Sequence, residues 1–217
     1  MQRLSPQDAT FVYVENEFNH MSIATLCLFE APAPKPGAIE AMLASKLDLV
    51  PRLRERLRFV PLDLGRPVWC EDPHFSLRYH VRHTALPSPG TEEQLQTLVG
   101  RVMSQQLDRT KPLWELWVIE NLEDGSWALL LKLHHCTADG VAAAELLEIL
   151  LDRKRRQALE PPTEWRAEYQ PSPSGLAASA LAERMTLPRA RLRGLSRMLA
   201  NPRKTISTVS HIVDGFA

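Results

Sequence analysis

Trp127-Ala-Leu-Leu-Leu-Lys-Leu133 runs directly into His134-His135-Cys136-Thr137-Ala138-Asp139-Gly140, and the chain carries no more informative stretch. The apolar run from Trp127 reads as a buried strand. Val141 to Leu151 is rich in Ala, Leu and Glu and reads as a helix. A second apolar run, Leu113 to Ile119, precedes the first through Asn121-Leu-Glu-Asp-Gly125, where the Asp-Gly step predicts a hairpin turn between buried strands. The polar heptapeptide thus falls where a strand ends and a helix begins. Layered α/β proteins commonly bind ligands at that junction, because side chains leaving the strand's carboxyl end project into a crevice.

Working outward, Ser5-Pro6-Gln7-Asp8 supplies a helix cap, a first-turn proline and an acid for the positive end of the dipole. Phe11, Val14 and Phe18 follow at helical spacing. Ile23 to Phe29 reads as a strand, Ala31 to Pro36 breaks it, and Ala38 to Leu49 is helical. Phe75, Leu77, Tyr79 and Val81 alternate with polar residues and predict a half-buried strand. Thr91 caps a helix with the stripe Leu95, Leu98, Val102 and Met103. Together these elements predict an α/β layered domain over residues 1–155. Residues 156–217 read as a connector: four prolines (Pro161, Pro162, Pro171 and Pro173), then a basic amphipathic helical segment over 177–200 that Pro188 divides.

The 217 residues are 44% hydrophobic and 24% charged, which is a globular composition, and the formal net charge is zero. Residues 1–150 carry 14 basic and 20 acidic side chains, and residues 151–217 carry 12 and 6. That balance excludes a whole-chain electrostatic case for nucleic acid. Cys27, Cys70 and Cys136 fit neither a disulfide framework nor a zinc pair, which favours a reducing cytoplasm. The longest apolar run is too short to span a bilayer, and Asp8, Glu15 and Glu17 sit where a signal peptide needs an apolar core. The expected protein is soluble, or at most peripheral to a membrane.

Imidazole is matched to proton transfer near neutral pH. Successive strand residues face opposite ways, so His134 and His135 divide their roles, one facing the crevice and the other the layer behind. Asp139 can orient a ring or brace the loop through an arginine, and Gly140 leaves backbone room for a substrate or a tight turn. The residues alone leave other readings open: structural histidines, metal ligands at His134, His135 and Asp139, or a nucleophilic Cys136. Adjacent strand histidines diverge, which weakens the metal reading. Nothing beyond the neighbouring histidines marks the thiol as activated. His80 and His83 read as structural or solvent-facing.

His-His-x-x-x-Asp-Gly resembles the signature of the CoA-dependent acyltransferase superfamily, which includes chloramphenicol acetyltransferase-like enzymes and peptide-synthetase condensation domains. Leu4-Ser-Pro-Gln-Asp-Ala9, Asn19-His-Met21, Pro51-Arg-Leu-Arg-Glu-Arg-Leu57, Tyr79-His-Val-Arg-His83 and Lys111-Pro-Leu-Trp114 are similar, in order and spacing, to the bacterial wax ester synthase/acyl-CoA:diacylglycerol acyltransferase (WS/DGAT) family. The resemblance is strong over residues 1–155 and loose beyond. It implies a chloramphenicol acetyltransferase-like layered domain, a mixed sheet flanked by helices, of which this chain is the N-terminal half. It places the general base on His135, loop-holding roles on His134 and Asp139, and substrate contacts at Gly140 and Trp114, although packing is the stronger reading for Trp114.

The implied reaction passes a fatty acyl group from acyl-CoA, as co-substrate, to diacylglycerol or a long-chain alcohol, with no other cofactor and no metal. The family's second half, a partner for this one, is not in the sequence, so little activity is expected from residues 1–217 alone. The alternatives are a condensation-type acyltransferase using a carrier-protein thioester, and a catalytically incomplete lipid- or CoA-binding half. The basic tail suggests contact with the inner membrane or a lipid droplet. Anionic vesicles should therefore retain the full chain better than residues 1–155, and added salt should weaken the difference. Equal retention, or indifference to salt, would remove the electrostatic argument.

Overall fold

The computed structural model describes residues 2–151, 165–167 and 170–185. Two compact units emerge: residues 1–59 with 66–170, and residues 60–65 with 171–217. In the first unit the order is β1 (Gln2–Arg3), α1 (Pro6–Val14), β2 (Ser22–Phe29), α2 (Ala38–Lys46), β3 (Glu55–Arg58), β4 (Val68–Glu71), α3 (Leu77–His80), β5 (Val81–Ala85), α4 (Glu92–Met103), β6 (Trp114–Glu120), β7 (Trp127–His134) and α5 (Gly140–Leu150). The second unit has a short turn at Pro61–Asp63 and a helix over residues 173–185, with Leu176 and Ala180 buried. The charge run at 153–156, Pro161, Pro162 and the leucines at 192, 195 and 199 lie outside the described residues.

The main sheet has the order β2-β7-β6-β5. β7 runs antiparallel to β2 and β6, with Leu133 opposite both Ile23 and Trp114. The expected hairpin between β6 and β7 is present, with Gly125 at φ 76° in its turn. β5 runs parallel to β6, which requires a crossover, and α4 supplies it. One face of the sheet packs Leu129, Leu131, Leu133, Leu116 and Val118 against α2 and α5. The other packs Ala128, Leu130 and Ile119 against Leu95 and Val102 of α4. This is the expected mixed sheet flanked by helices. A smaller sheet, β1-β4-β3, shares a cluster with α1 through Leu57, Trp69, Ala9 and Val12.

Helix ends follow the local chemistry. Ser5 Oγ accepts the Asp8 N–H at 3.0 Å, and Thr91 with Gln94 forms a capping box on α4. Carboxyl ends use distant lysines. Lys46 Nζ donates to the carbonyls of Ile149 and Leu150 at the end of α5. Fully buried Lys132 donates to the carbonyls of Val102 and Gln105 at the end of α4. A cation is favoured there by the negative end of the helix dipole.

Two expectations fail. Helix α1 ends at Val14, so Phe18 lies outside it and is exposed. The alternating stretch from Phe75 does not form a continuous strand; Leu77–His80 is a single helical turn, and the strand begins at Val81. The reason is the ring stack. His80 lies 5.3 Å from Phe75 and 4.4 Å from Trp114, centroid to centroid. In a strand, residues 75 and 80 would face opposite sides. The helical turn brings them together, and His80 Nδ1–H donates to the Trp114 carbonyl at 2.8 Å.

His80 is 1% exposed, and burial pushes its imidazole from an ordinary value of 6.5 down to about 4, against the opposing pull of the Trp114 carbonyl. The unfolded chain then binds a proton that the folded chain refuses. Its contribution is fully present above pH 6.5 and is lost as pH falls towards about 4. The slope is up to about 1.4 kcal/mol per pH unit, or roughly 3 kcal/mol across the window. Denaturant titrations of the wild type should show that slope, and His80→Phe should flatten it.

Candidate functional site

The motif loop leaves the end of β7 and enters α5. His134 is the last strand residue, and its N–H donates to the Leu113 carbonyl at 3.0 Å. The His135 N–H donates to the Met21 carbonyl at 2.7 Å, and the Thr137 N–H to the His134 carbonyl at 2.8 Å. Asp139 caps α5, its Oδ1 accepting the Ala142 N–H at 2.9 Å. Among the described residues it ties the loop to the helix terminus and pairs with no arginine.

The two histidines have opposite surroundings. His134 is 1% exposed; its Nδ1 accepts the Cys136 N–H at 3.0 Å, and its Nε2 stands 3.4 Å from Glu15 Oε2. That second spacing is too long for a well-aligned hydrogen bond. Burial lowers the His134 imidazole, only partly opposed by Glu15, which favours its neutral form. His135 is half-buried, and its ring stacks on Phe11 of α1 at 4.7 Å and 17°. Its Nδ1 has no hydrogen-bond partner among the described residues. His134 is enclosed, with Nδ1 hydrogen-bonded and Nε2 facing Glu15 without a hydrogen bond, whereas the His135 ring is half-buried, stacked on Phe11 and hydrogen-bonded to no described residue.

Behind His134 lies a pair that no local pattern connects. Arg109 Nε and Nη2 donate to Glu15 Oε2 at 2.9 and 2.6 Å. Burial alone would raise the Glu15 carboxyl, but hydrogen bonds from Arg109 and Gln106, with the charges of His134 and Arg109, hold it below its usual range. In sequence, Glu15 was only an acid where a signal peptide needs apolar residues, and Arg109 carried no signal. Phe11 was legible as part of the helical stripe, though not as the ring under His135.

Gly140 is exposed, and a Cβ built there would meet nothing within 4 Å, so its backbone borders open space. Trp114 is 1% exposed, with its Nε1–H donating to the Leu53 carbonyl at 2.8 Å and one face on His80. The substrate contact expected of Trp114 gives way to packing, because the indole is enclosed in the core. His83 pairs with Glu40 at 3.0 Å, far from the motif in role. A groove of about 860 Å³ on the α4 side of the sheet is lined by Leu26, Leu28, Leu95, Val99 and Leu122 among others, but by no motif residue. Among the described residues no helix is long and apolar enough to cross a membrane.

The chain is similar to several known proteins. The wax ester synthase/diacylglycerol acyltransferase catalytic domain profile matches residues 4–217. The chain is 48% identical over 154 residues to tgs1 of Mycobacterium tuberculosis, named a probable diacylglycerol O-acyltransferase, covering 70% of this chain and 33% of tgs1. It is 36% identical over 202 residues to tgs3 of the same species, similarly named, covering 91% of this chain and 74% of tgs3. The chain thus spans about a third of the length of the first relative and about three quarters of the second. Its structure matches the wax ester synthase/diacylglycerol acyltransferase from Marinobacter aquaeolei VT8 with a TM-score of 0.60 and 34% identity, covering 74% of this chain and 41% of that one. The starter condensation domain of rhizomide synthetase shares the fold, with a TM-score of 0.52 and 19% identity over 69% of this chain and 36% of that one.

Cys136 sits among Leu4, Val12, Trp69 and Leu113, and burial pushes its thiol up to about 12. It is no nucleophile at neutral pH. Iodoacetamide at mildly alkaline pH should modify Cys27, which is only half-buried, well before Cys136 in the folded chain, and all three cysteines alike after unfolding. Rapid native labelling of Cys136 would contradict the packing described.

Proposed function

The chain belongs to the wax ester synthase/diacylglycerol acyltransferase catalytic-domain family, and on that premise we propose that it transfers a fatty acyl group from acyl-CoA to diacylglycerol or a long-chain alcohol, with His135 as general base. The observation that carries this reading is the contrast between the histidines. A base needs an unengaged lone pair within reach of the substrate hydroxyl. His134 is 1% exposed, with Nδ1 taken by the Cys136 N–H and Nε2 facing Glu15, whereas the His135 ring is half-buried, stacked on Phe11 and hydrogen-bonded to no described residue.

In the proposed reaction His135 removes the hydroxyl proton as the oxygen attacks the thioester carbonyl. The C–S bond then breaks, and the proton passes to the departing CoA thiolate. The ester forms directly, with no acyl-enzyme. Asp139 and His134 hold the loop, and the space beside Gly140 leaves room for a substrate next to the base. A position at the inner membrane or a lipid droplet would place the site near its water-insoluble acceptor.

Acyl-CoA offered with diacylglycerol and hexadecanol together, with the products separated by thin-layer chromatography, tests both donor and acceptor. Transfer from a carrier-protein thioester but not from free acyl-CoA would replace this reading with a condensation-type one. In an active form, His135→Ala should lower turnover by about 10²–10⁴-fold with the thermal midpoint nearly unchanged. Asp139→Ala should lower stability by about 1 kcal/mol as well as rate, through loss of the α5 cap. Near-normal turnover in folded His135→Ala would remove the base assignment.

A further inference from the structure

We propose that Glu15 is a positioning residue for the motif, one buried carboxylate that fixes both histidines through two separate routes, a 3.4 Å contact with the His134 ring and a hydrogen-bonded path to the His135 backbone, with Arg109 holding it in place. The inference rests on reading His135 as the base.

The first route runs through side chains. His134 Nδ1 accepts the Cys136 N–H, so its ring hydrogen sits on Nε2, which faces Glu15 Oε2 at 3.4 Å with both side chains 1% exposed. Only that tautomer leaves Nδ1 able to close the turn onto Cys136, and the Thr137 N–H bond to the His134 carbonyl closes the same turn. The second route runs through the backbone. Glu15 Oε1 accepts the Met21 N–H at 3.2 Å, and the Met21 carbonyl accepts the His135 N–H at 2.7 Å. The residue that carries the base is therefore braced from both sides by one carboxylate.

Arg109 extends the device to the helix under the ring. Its Nη2 donates to the Val12 carbonyl at 2.9 Å as well as to Glu15 Oε2. The guanidinium thereby joins the carboxylate to the end of α1, whose Phe11 stacks on His135. The electrostatics agree: hydrogen bonds and nearby charge lower the Glu15 carboxyl despite its burial, and burial lowers the His134 imidazole. A carboxylate suits both routes because it only accepts. An amide in its place would turn its NH₂ either on the Met21 N–H or on the His134 Nε2–H, and a donor would meet a donor.

The test uses ¹⁵N-labelled residues 1–217 and long-range ¹H–¹⁵N spectra of the seven histidines. Wild-type His134 should show a bare Nδ1 and a protonated Nε2, and should stay neutral while exposed histidines titrate. Glu15→Gln should mix or reverse that tautomer. It should also speed exchange of the His135 amide by about tenfold, the worth of one hydrogen bond to a charged group, while leaving the Leu131 amide in β7 unchanged. Glu15→Asp should restore much of the wild-type pattern. A wild-type His134 carrying its proton on Nδ1 would overturn the proposal, and that measurement needs no variant to fold. Glu15→Gln with wild-type tautomer and His135 exchange would overturn it as well. Neither readout depends on turnover, so an active His135→Ala enzyme would defeat the base assignment while leaving the positioning result to stand or fall by itself.

Discussion

All eight residues of β7 are buried, and the rest of the first unit is arranged around that strand. It is hydrogen-bonded on both edges, to β2 and to β6, and covered on both faces, by α4 and by α2 with α5. A strand enclosed in this way cannot slip by one residue without driving Lys132 and His134 into the opposite, apolar layer. Its register is therefore strongly specified, and so is the point where the chain leaves the sheet. His134 closes the strand on the Leu113 carbonyl, and His135 begins the loop on the Met21 carbonyl. The candidate base inherits its position from the most constrained strand in the protein.

Enclosure on both faces brings polar groups into the interior, and each needs an answer. Lys132 answers the carbonyls at the end of α4, His80 answers the Trp114 carbonyl, and Arg109 answers Glu15. Leaving such a group unpaired costs far more than the net gain of pairing it, so these contacts act chiefly as specificity for one packing. The charges serve geometry: two helix ends and the motif loop are tied to residues distant in sequence. The Glu15–Arg109 pair is the case nearest the chemistry, with partners 94 residues apart.

Legibility varied with the range of the signal. The caps at Ser5 and Thr91 and the β6–β7 hairpin at Gly125 were readable because neighbouring residues fully specify them. The motif at His134–Gly140 was readable as chemistry, and its strand-end position followed from the apolar run before it. The stretch from Phe75 misled because an alternation over a few residues is also compatible with one helical turn. The choice between the two was made by Trp114, 34 residues away, through its contacts with His80.

Sequence by itself determined the layered α/β class, the family, and the two histidines between which the base had to be chosen, since periodicity, turn residues and a contiguous motif are all local. Only the tertiary structure decided which imidazole is enclosed beside a carboxylate and which is half-buried against an aromatic ring. That choice depends on a carboxylate from the end of α1, a guanidinium beyond α4 and a ring from α1, brought together by packing rather than by spacing. The same packing encloses Trp114 in the core, where its indole N–H meets the Leu53 carbonyl and its ring stacks on His80. No local pattern encodes those meetings, because they exist only once β7 is enclosed.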